Sequence, residues 1–173
     1  MRILYGVQGT GNGHISRCRL MAKALKNEDV QVDYIFSGRE ADAYFDMQAF
    51  GDYRCLSGLS FATKNGAINL WSTINQSKPL QLLHDINHLS LSDYDSIISD
   101  FEPVTAWAAK RQNLPALGIS HQASFRYAVP QTGGDPIARF TMRNFAPVQQ
   151  AVGLHWFHFG YPILPPIIES LKP

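Results

Sequence analysis

Two short stretches carry side chains whose types and spacing suit chemistry. One is Gly9-Thr10-Gly11-Asn12-Gly13-His14-Ile15-Ser16, and the other is Asp100-Phe101-Glu102. Three alternate glycines let a backbone turn sharply at positive φ and come close to a ligand. Where a helix follows, the free N–H groups of its first turn carry partial positive charge and suit a phosphate or a developing anion. A histidine in that loop adds a group that titrates near neutral pH. A carboxylate that accepts from one imidazole nitrogen fixes the tautomer and makes the other nitrogen a better base. Together these parts can take a proton from a hydroxyl.

The common phosphate motifs fit poorly. A P-loop needs Gly-x-x-x-x-Gly-Lys-Ser/Thr, and neither the lysine nor the hydroxyl stands in register here. The dinucleotide fingerprint Gly-x-Gly-x-x-Gly would place its third glycine where His14 stands. Asp33 is available as the ribose-binding acid, but it falls early in its strand rather than at the strand's end.

The surrounding pattern must position these groups. Ile3-Leu4-Tyr5-Gly6-Val7 reads as a buried strand, and Leu20, Met21, Ala24 and Leu25 read as the apolar face of the helix behind the glycine loop. Further strands are expected at Val30 to Phe36, Tyr53 to Leu56, Leu59 to Phe61, Ser96 to Ser99, Leu117 to Ser120 and Leu154 to Phe159. Helical patterns run over Ala41 to Phe45, Ile68 to Ile74, Leu80 to Leu91, Thr105 to Arg111 and Ile137 to Phe145. Pro103 is favoured at a first helical position, and Lys64-Asn65-Gly66 is a turn signal. Strands alternating with helices, with apolar strand cores, predict an α/β fold: a Rossmann-like parallel sheet flanked by helices. In such sheets ligands bind beyond the C-terminal strand ends. Both the Gly9–His14 loop and Asp100 fall at that edge. His14 can therefore meet Asp100 or Glu102 if their strands are near neighbours. Two plainer roles stay open: His14 bonding a turn carbonyl, and either carboxylate capping the helix behind Pro103.

Bulk properties exclude several classes. The chain has 173 residues, enough for one domain with a real core. A net charge of +1 gives no electrostatic case for nucleic acid. No apolar run approaches the roughly 18 residues of a membrane span. Cys18 and Cys55 are too few for a disulfide scaffold and read as small buried hydrophobes. His84 and His88 share a helix face at metal-ligand spacing, but no third ligand is evident, and a solvated polar face is the better reading. His121-Gln122 follows a strand and is read as either a contact to acceptor or donor or a plain loop. Phe125, Arg126, Tyr127 and the loop Thr132-Gly133-Gly134-Asp135 are candidates to line a pocket. His155 to Phe159 reads as buried strand and interdomain surface. The proline-dense end, Tyr161 to Pro173, forbids helix and suits an extended linker.

The glycine–histidine loop and the run Ser99-Asp100-Phe101, Trp107-Ala108-Ala109, Leu114-Pro115 resemble GT-B glycosyltransferases over nearly the whole chain. The first loop is similar to that of the peptidoglycan lipid-linked N-acetylglucosaminyl transferases and to the Gly-His-Ile opening of plant UDP-sugar enzymes. The Ile-Leu-Tyr-Gly-Val and Gly-Asn-Gly-His runs resemble a group of prokaryotic glycosyltransferases more closely still. The resemblance implies an N-terminal, acceptor-side domain over residues 1–160. Residues 161–173 would then begin an interdomain linker, and the donor-binding domain would lie outside this chain. It implies an inverting enzyme without metal or other cofactor, inactive as the isolated half, using a nucleotide-sugar that is UDP-linked in the relatives. His14 would be the general base and Asp100 or Glu102 its partner. Gly9, Gly11, Asn12 and Gly13 would face the donor phosphates, and His121, Gln122 and Phe125 the acceptor. The acceptor would be a small molecule or lipid-linked, and the protein cytoplasmic or peripheral to the inner membrane face. A non-catalytic subunit of a split transferase and a UDP-sugar 2-epimerase-like enzyme are the alternatives.

Overall fold

The computed structural model describes residues 1–59, 63–64, 67–68, 78–130, 140 and 143–169. The element order is β1 (Arg2–Gln8), α1 (Asn12–Leu25), β2 (Gln31–Ser37), β3 (Tyr53–Leu56), β4 (Thr63–Lys64), β5 (Ala67–Ile68), α2 (Pro79–His88), β6 (Ser96–Asp100), α3 (Pro103–Arg111), β7 (Ala116–Ser120), β8 (Gln150–Leu154) and β9 (Ile163–Leu164). Short 3₁₀ turns lie at Ala41–Ala43, Gln48–Phe50 and Gln122–Arg126. Seven strands form one parallel sheet in the order β3-β2-β1-β6-β7-β8-β9. Strands β4 and β5 pair antiparallel.

Alternation along β1 divides the core in two. Ile3, Tyr5 and Val7 face α1, where Ile15, Cys18 and Ala22 meet them together with Tyr34, Phe36 and Ile98. Leu4 faces the other way, onto Val104, Ala108 and Ala109 of α3, Ile86 of α2, and Ile35 and Ile97. Both faces are covered, which is why β1 reads as an unbroken apolar run. Gly6 permits the close approach of α3: a Cβ there would lie 2.2 Å from Thr105 Oγ1.

From β1 the chain first moves outward to β2 and β3, then crosses to β6 on β1's other side. The strand order reverses between β1 and β6. Loops leaving these two strands run to helices on opposite faces and open a crevice at the C-terminal edge. Residues 9–14 and 100–102 flank this crevice.

Several expectations need correction. Helix α1 buries Ile15, Cys18 and Ala22; of the expected face, Met21 packs against this core, while Ala24 is exposed. Leu20 instead lines a groove closed by Pro166, Ile167 and Ile168. The helix expected over Ala41 to Phe45 is only a 3₁₀ turn. The last long strand is Gln150–Leu154, ending where Leu154 to Phe159 was expected to begin. Its inward position 153 must be glycine, since a Cβ there would lie 2.5 Å from Ser124 Oγ. Residues 155–159 leave the sheet, with Trp156 and Phe157 exposed. The segment after Gly160 is extended, as its prolines require, and Ile163 and Leu164 pair with β8. The strand expected at Leu59 to Phe61 and the helices at Ile68 to Ile74 and Ile137 to Phe145 fall largely outside the described residues, as does the loop 132–135.

Candidate active site

The glycine loop is built differently from the sharp positive-φ turn its sequence suggests. Positive φ falls at Gly38, Gly51, Gly58 and Gly160, and not at Gly9, Gly11 or Gly13. Gly9 is needed for space, because a Cβ would lie 2.2 Å from Tyr44 Oη. Its N–H donates to the Ser37 carbonyl at 2.7 Å, tying the loop to the end of β2. Arg39 holds the far side, donating to the Thr10 carbonyl at 3.0 Å and to Asn12 Oδ1 at 3.2 Å. Gly11 is the extended N-cap of α1 and supplies no capping side chain, and no acidic residue stands in the first turn. Around Gly13 a Cβ would meet nothing within 4 Å. The N-terminus of α1 therefore faces open space with its positive dipole end unneutralised, a setting that suits an anion.

His14 stands in that first turn. Register places Asp100 beside Val7, on the α1 face of the sheet. His14 Nδ1 lies 2.7 Å from Asp100 Oδ1; the imidazole is 13% exposed and the carboxylate 0%. Arg17, one turn further along α1, donates through Nε to Asp100 Oδ2 at 3.0 Å and through Nη2 to Oδ1. Its Nη2 is also 3.0 Å from His14 Nδ1. A single nitrogen cannot both donate to Asp100 and accept from Arg17. The shorter contact to an acceptor-only carboxylate sets Nδ1 as the donor. Nε2 then carries the lone pair, and the nearest polar group to it is Gln122 Nε2 at 3.4 Å, a long contact that a substrate hydroxyl could replace.

Glu102 has other work. It is fully buried and accepts four bonds: from Ser37 Oγ at 2.6 Å, Val104 N at 2.8 Å, and Thr105 N and Oγ1 at 2.7 Å each. These partners make it the N-cap of α3. Burial pushes its carboxyl above the ordinary glutamate value, while the four donors pull the other way. Of the two carboxylates at the end of β6, Asp100 is the one that reaches His14.

Gln122 sits at the end of β7, with its Oε1 buried and without a partner among the described residues. His121 donates through Nδ1 to the Leu154 carbonyl at 3.0 Å and packs edge-on to Phe125. It lines the same groove as Gly13 and Arg17, a cleft of about 550 Å³. His84 and His88 stack on each other in solvent, 4.0 Å between ring centres, while Asp85 is held by Gln81. Cys18 is fully buried, which pushes its thiol well up and leaves it inert, and Cys55 is half-buried. Arg17 was not singled out from sequence. Its signal was its position three residues after His14, which puts both on one helix face.

A parallel sheet carrying a histidine–aspartate pair at its switch point defines a Rossmann-like domain with a site for acid–base chemistry. Residues 1–137 match the sequence model of Glycosyl transferase family 1, and the chain belongs to that family. No curated protein matches it. Among solved structures, LpCGTa in complex with UDP is similar at 13% identity and TM-score 0.58, covering 98% of this chain and 53% of that one. SsfS6, a glycosyltransferase of Streptomyces sp. SF2575, is similar at 10% identity and TM-score 0.51, covering 89% of this chain and 49% of that one. Acinetobacter baumannii MurG aligns over 98% of this chain and 44% of its own at 14% identity and TM-score 0.49. The likenesses to LpCGTa and SsfS6 show a Rossmann-like fold shared with part of these chains. The chain spans about half the length of the structures it matches. No described helix is long and apolar enough to cross a membrane.

Proposed function

We propose that the chain is the acceptor-side half of an inverting glycosyltransferase that moves a sugar from a nucleotide-sugar to a hydroxyl. The observation that carries this is the His14–Asp100 contact at the switch point. The acceptor oxygen attacks the anomeric carbon as its proton passes to His14 Nε2, and the bond from that carbon to the nucleoside diphosphate breaks. Asp100 keeps Nδ1 protonated and stabilises the imidazolium that forms. Amides of residues 12–14 at the open N-terminus of α1 face the leaving phosphates, with Gly9 and Gly11 shaping the loop. His121, Gln122 and Phe125 border the acceptor's approach. The reading routes no step through a metal. A UDP-linked donor is proposed because the fold is shared with LpCGTa, solved with UDP. Residues 161–173 would lead to a donor-binding domain, without which the half should not turn over. The exposed Trp156, Phe157 and Tyr161 would suit an acceptor presented at a membrane surface on the cytoplasmic side.

The test is direct. The full-length protein is screened against nucleotide-sugars and hydroxyl acceptors, and His14→Ala is compared with wild type. Transfer that retains the donor's anomeric configuration, or unchanged turnover in His14→Ala, would refute the reading.

A further inference from the structure

A second cavity lies across the sheet edge from His14, on the α3 face. It is small, about 20 Å³, and is lined by Ser99, Gly118, Ser120, Gln122, Arg126 and Arg143 among others. Among the described residues its polar lining is two hydroxyls, the Gln122 amide and two guanidinium groups. Ser99 Oγ is committed, donating to the Glu102 carbonyl and accepting from Glu102 N. Ser120 Oγ accepts from Ala123 N, so its own proton remains available. Among the described residues Arg126 and Arg143 make no ion pair or hydrogen bond, and no carboxylate lines the cavity. By contrast, Arg2, Arg17, Arg19, Arg39, Arg54 and Arg111 each have an oxygen partner. Both guanidinium groups border the one cavity, and their planar forks match carboxylate and phosphate oxygens. The volume admits about one oxygen-sized group, so the anion's head would enter while the rest of the molecule stays outside. Gln122 forms the wall shared with His14 and touches its Nε2.

We propose that this cavity is an anion subsite for the acceptor: Arg126 and Arg143 bind an acceptor phosphate or carboxylate and thereby set a hydroxyl of the same molecule at His14 Nε2. The proposal deepens the glycosyltransferase reading and rests on it for the word acceptor; the anion site itself does not. Both arginines are exposed and make no bonds among the described residues, so replacing them should leave the fold intact.

The experiment titrates the full-length protein with inorganic phosphate and, separately, with acetate, following amide shifts or heat. Phosphate binding weakened about tenfold in Arg126→Gln and in Arg143→Gln, and restored in part by lysine at either position, is the expected result. Arg54→Gln, a distant exposed arginine, should bind as wild type does. His14→Ala should bind phosphate normally, which separates this site from the base. Stronger binding of phosphate than acetate assigns a phosphorylated acceptor, and the reverse a carboxylated one. Equal binding by wild type and both glutamine variants, or no binding at all, overturns the proposal. Displacement of phosphate by UDP would also overturn it, since the cavity would then belong to the donor.

Discussion

His14 Nδ1 and Asp100 Oδ1 stand 2.7 Å apart although 86 residues separate them in the chain. Two adjacent parallel strands bring them together, one ending before the glycine loop and the other ending in Asp100 itself. If Asp100 works only through His14, the two act as a unit. In the full-length protein His14→Ala should lower kcat by about 10²–10⁴-fold, the usual contribution of a general base. Donor affinity should change little. Asp100→Asn should also be slow, and the double variant little slower than His14→Ala alone. Additive losses in steady-state kinetics would mean that the two residues have separate roles.

Arg17 gives the pair a third member. It grips both oxygens of Asp100 and so holds the carboxylate toward His14, while bringing a fixed positive charge beside the imidazole. The charged groups that face His14 are Arg17 from α1 and Asp100 from β6; Gln122 from the far side is neutral. Without that grip Asp100 is free to turn away, and the imidazole loses the acceptor that fixes its tautomer. Arg17→Gln should therefore lower kcat with little change in donor affinity, and Arg17→Lys should restore part of the loss. A merely structural role would lower stability without changing the turnover of the folded fraction.

Much of this arrangement was legible in the sequence because it rests on local signals. The apolar run before Gly9, the apolar run ending in Asp100 and the proline behind Glu102 place three elements and the edge they share. What could not be read was the partition between Asp100 and Glu102. That choice depends on which face each side chain takes after β6, and Phe101 intervenes with a positive φ of 53°. The buried face of α1 was also misjudged, because Leu20 faces a groove whose other wall is residues 166–168, far away in the chain. The glycine loop looked like a positive-φ turn, but only tertiary packing shows that Gly9 is required by the ring of Tyr44.

That distinction predicts unequal glycine variants. Gly9→Ala would press a methyl to 2.2 Å from Tyr44 Oη, and overpacking of this kind costs about 1–3 kcal/mol. Gly13→Ala meets nothing within 4 Å and lies inside α1, where alanine is favoured over glycine by about 0.5–1 kcal/mol. Thermal denaturation should show Gly9→Ala melting lower and Gly13→Ala melting higher than wild type. The added methyl of Gly13→Ala projects into the groove beside the helix N-terminus, so it should weaken UDP binding by the full-length protein even as it stabilises the fold. Unchanged UDP affinity would mean that the first turn of α1 does not contact the donor.

Glu102 separates capping from catalysis. Its carboxyl accepts from two backbone N–H groups and two hydroxyls inside the protein. In Glu102→Gln the amide nitrogen cannot accept, so whichever way the amide turns one backbone N–H, that of Val104 or of Thr105, loses its partner in the interior. A buried donor left unsatisfied costs about 1–3 kcal/mol, and denaturant unfolding should show a loss of that size. The turnover of the folded fraction should stay close to wild type, because Glu102 does not touch His14. Its pH signature follows from burial, which raises the folded carboxyl above its ordinary value of 4.5. Below 4.5 the group is protonated both folded and unfolded, and its contribution is fully present. As pH rises past 4.5 the unfolded chain releases the proton while the folded one keeps it, so that contribution declines through the folded value. The stability difference between wild type and Glu102→Gln should therefore be largest at acid pH and shrink as pH rises across this window. A gap that widened with pH would mean that the four donors outweigh burial and hold the carboxylate ionised.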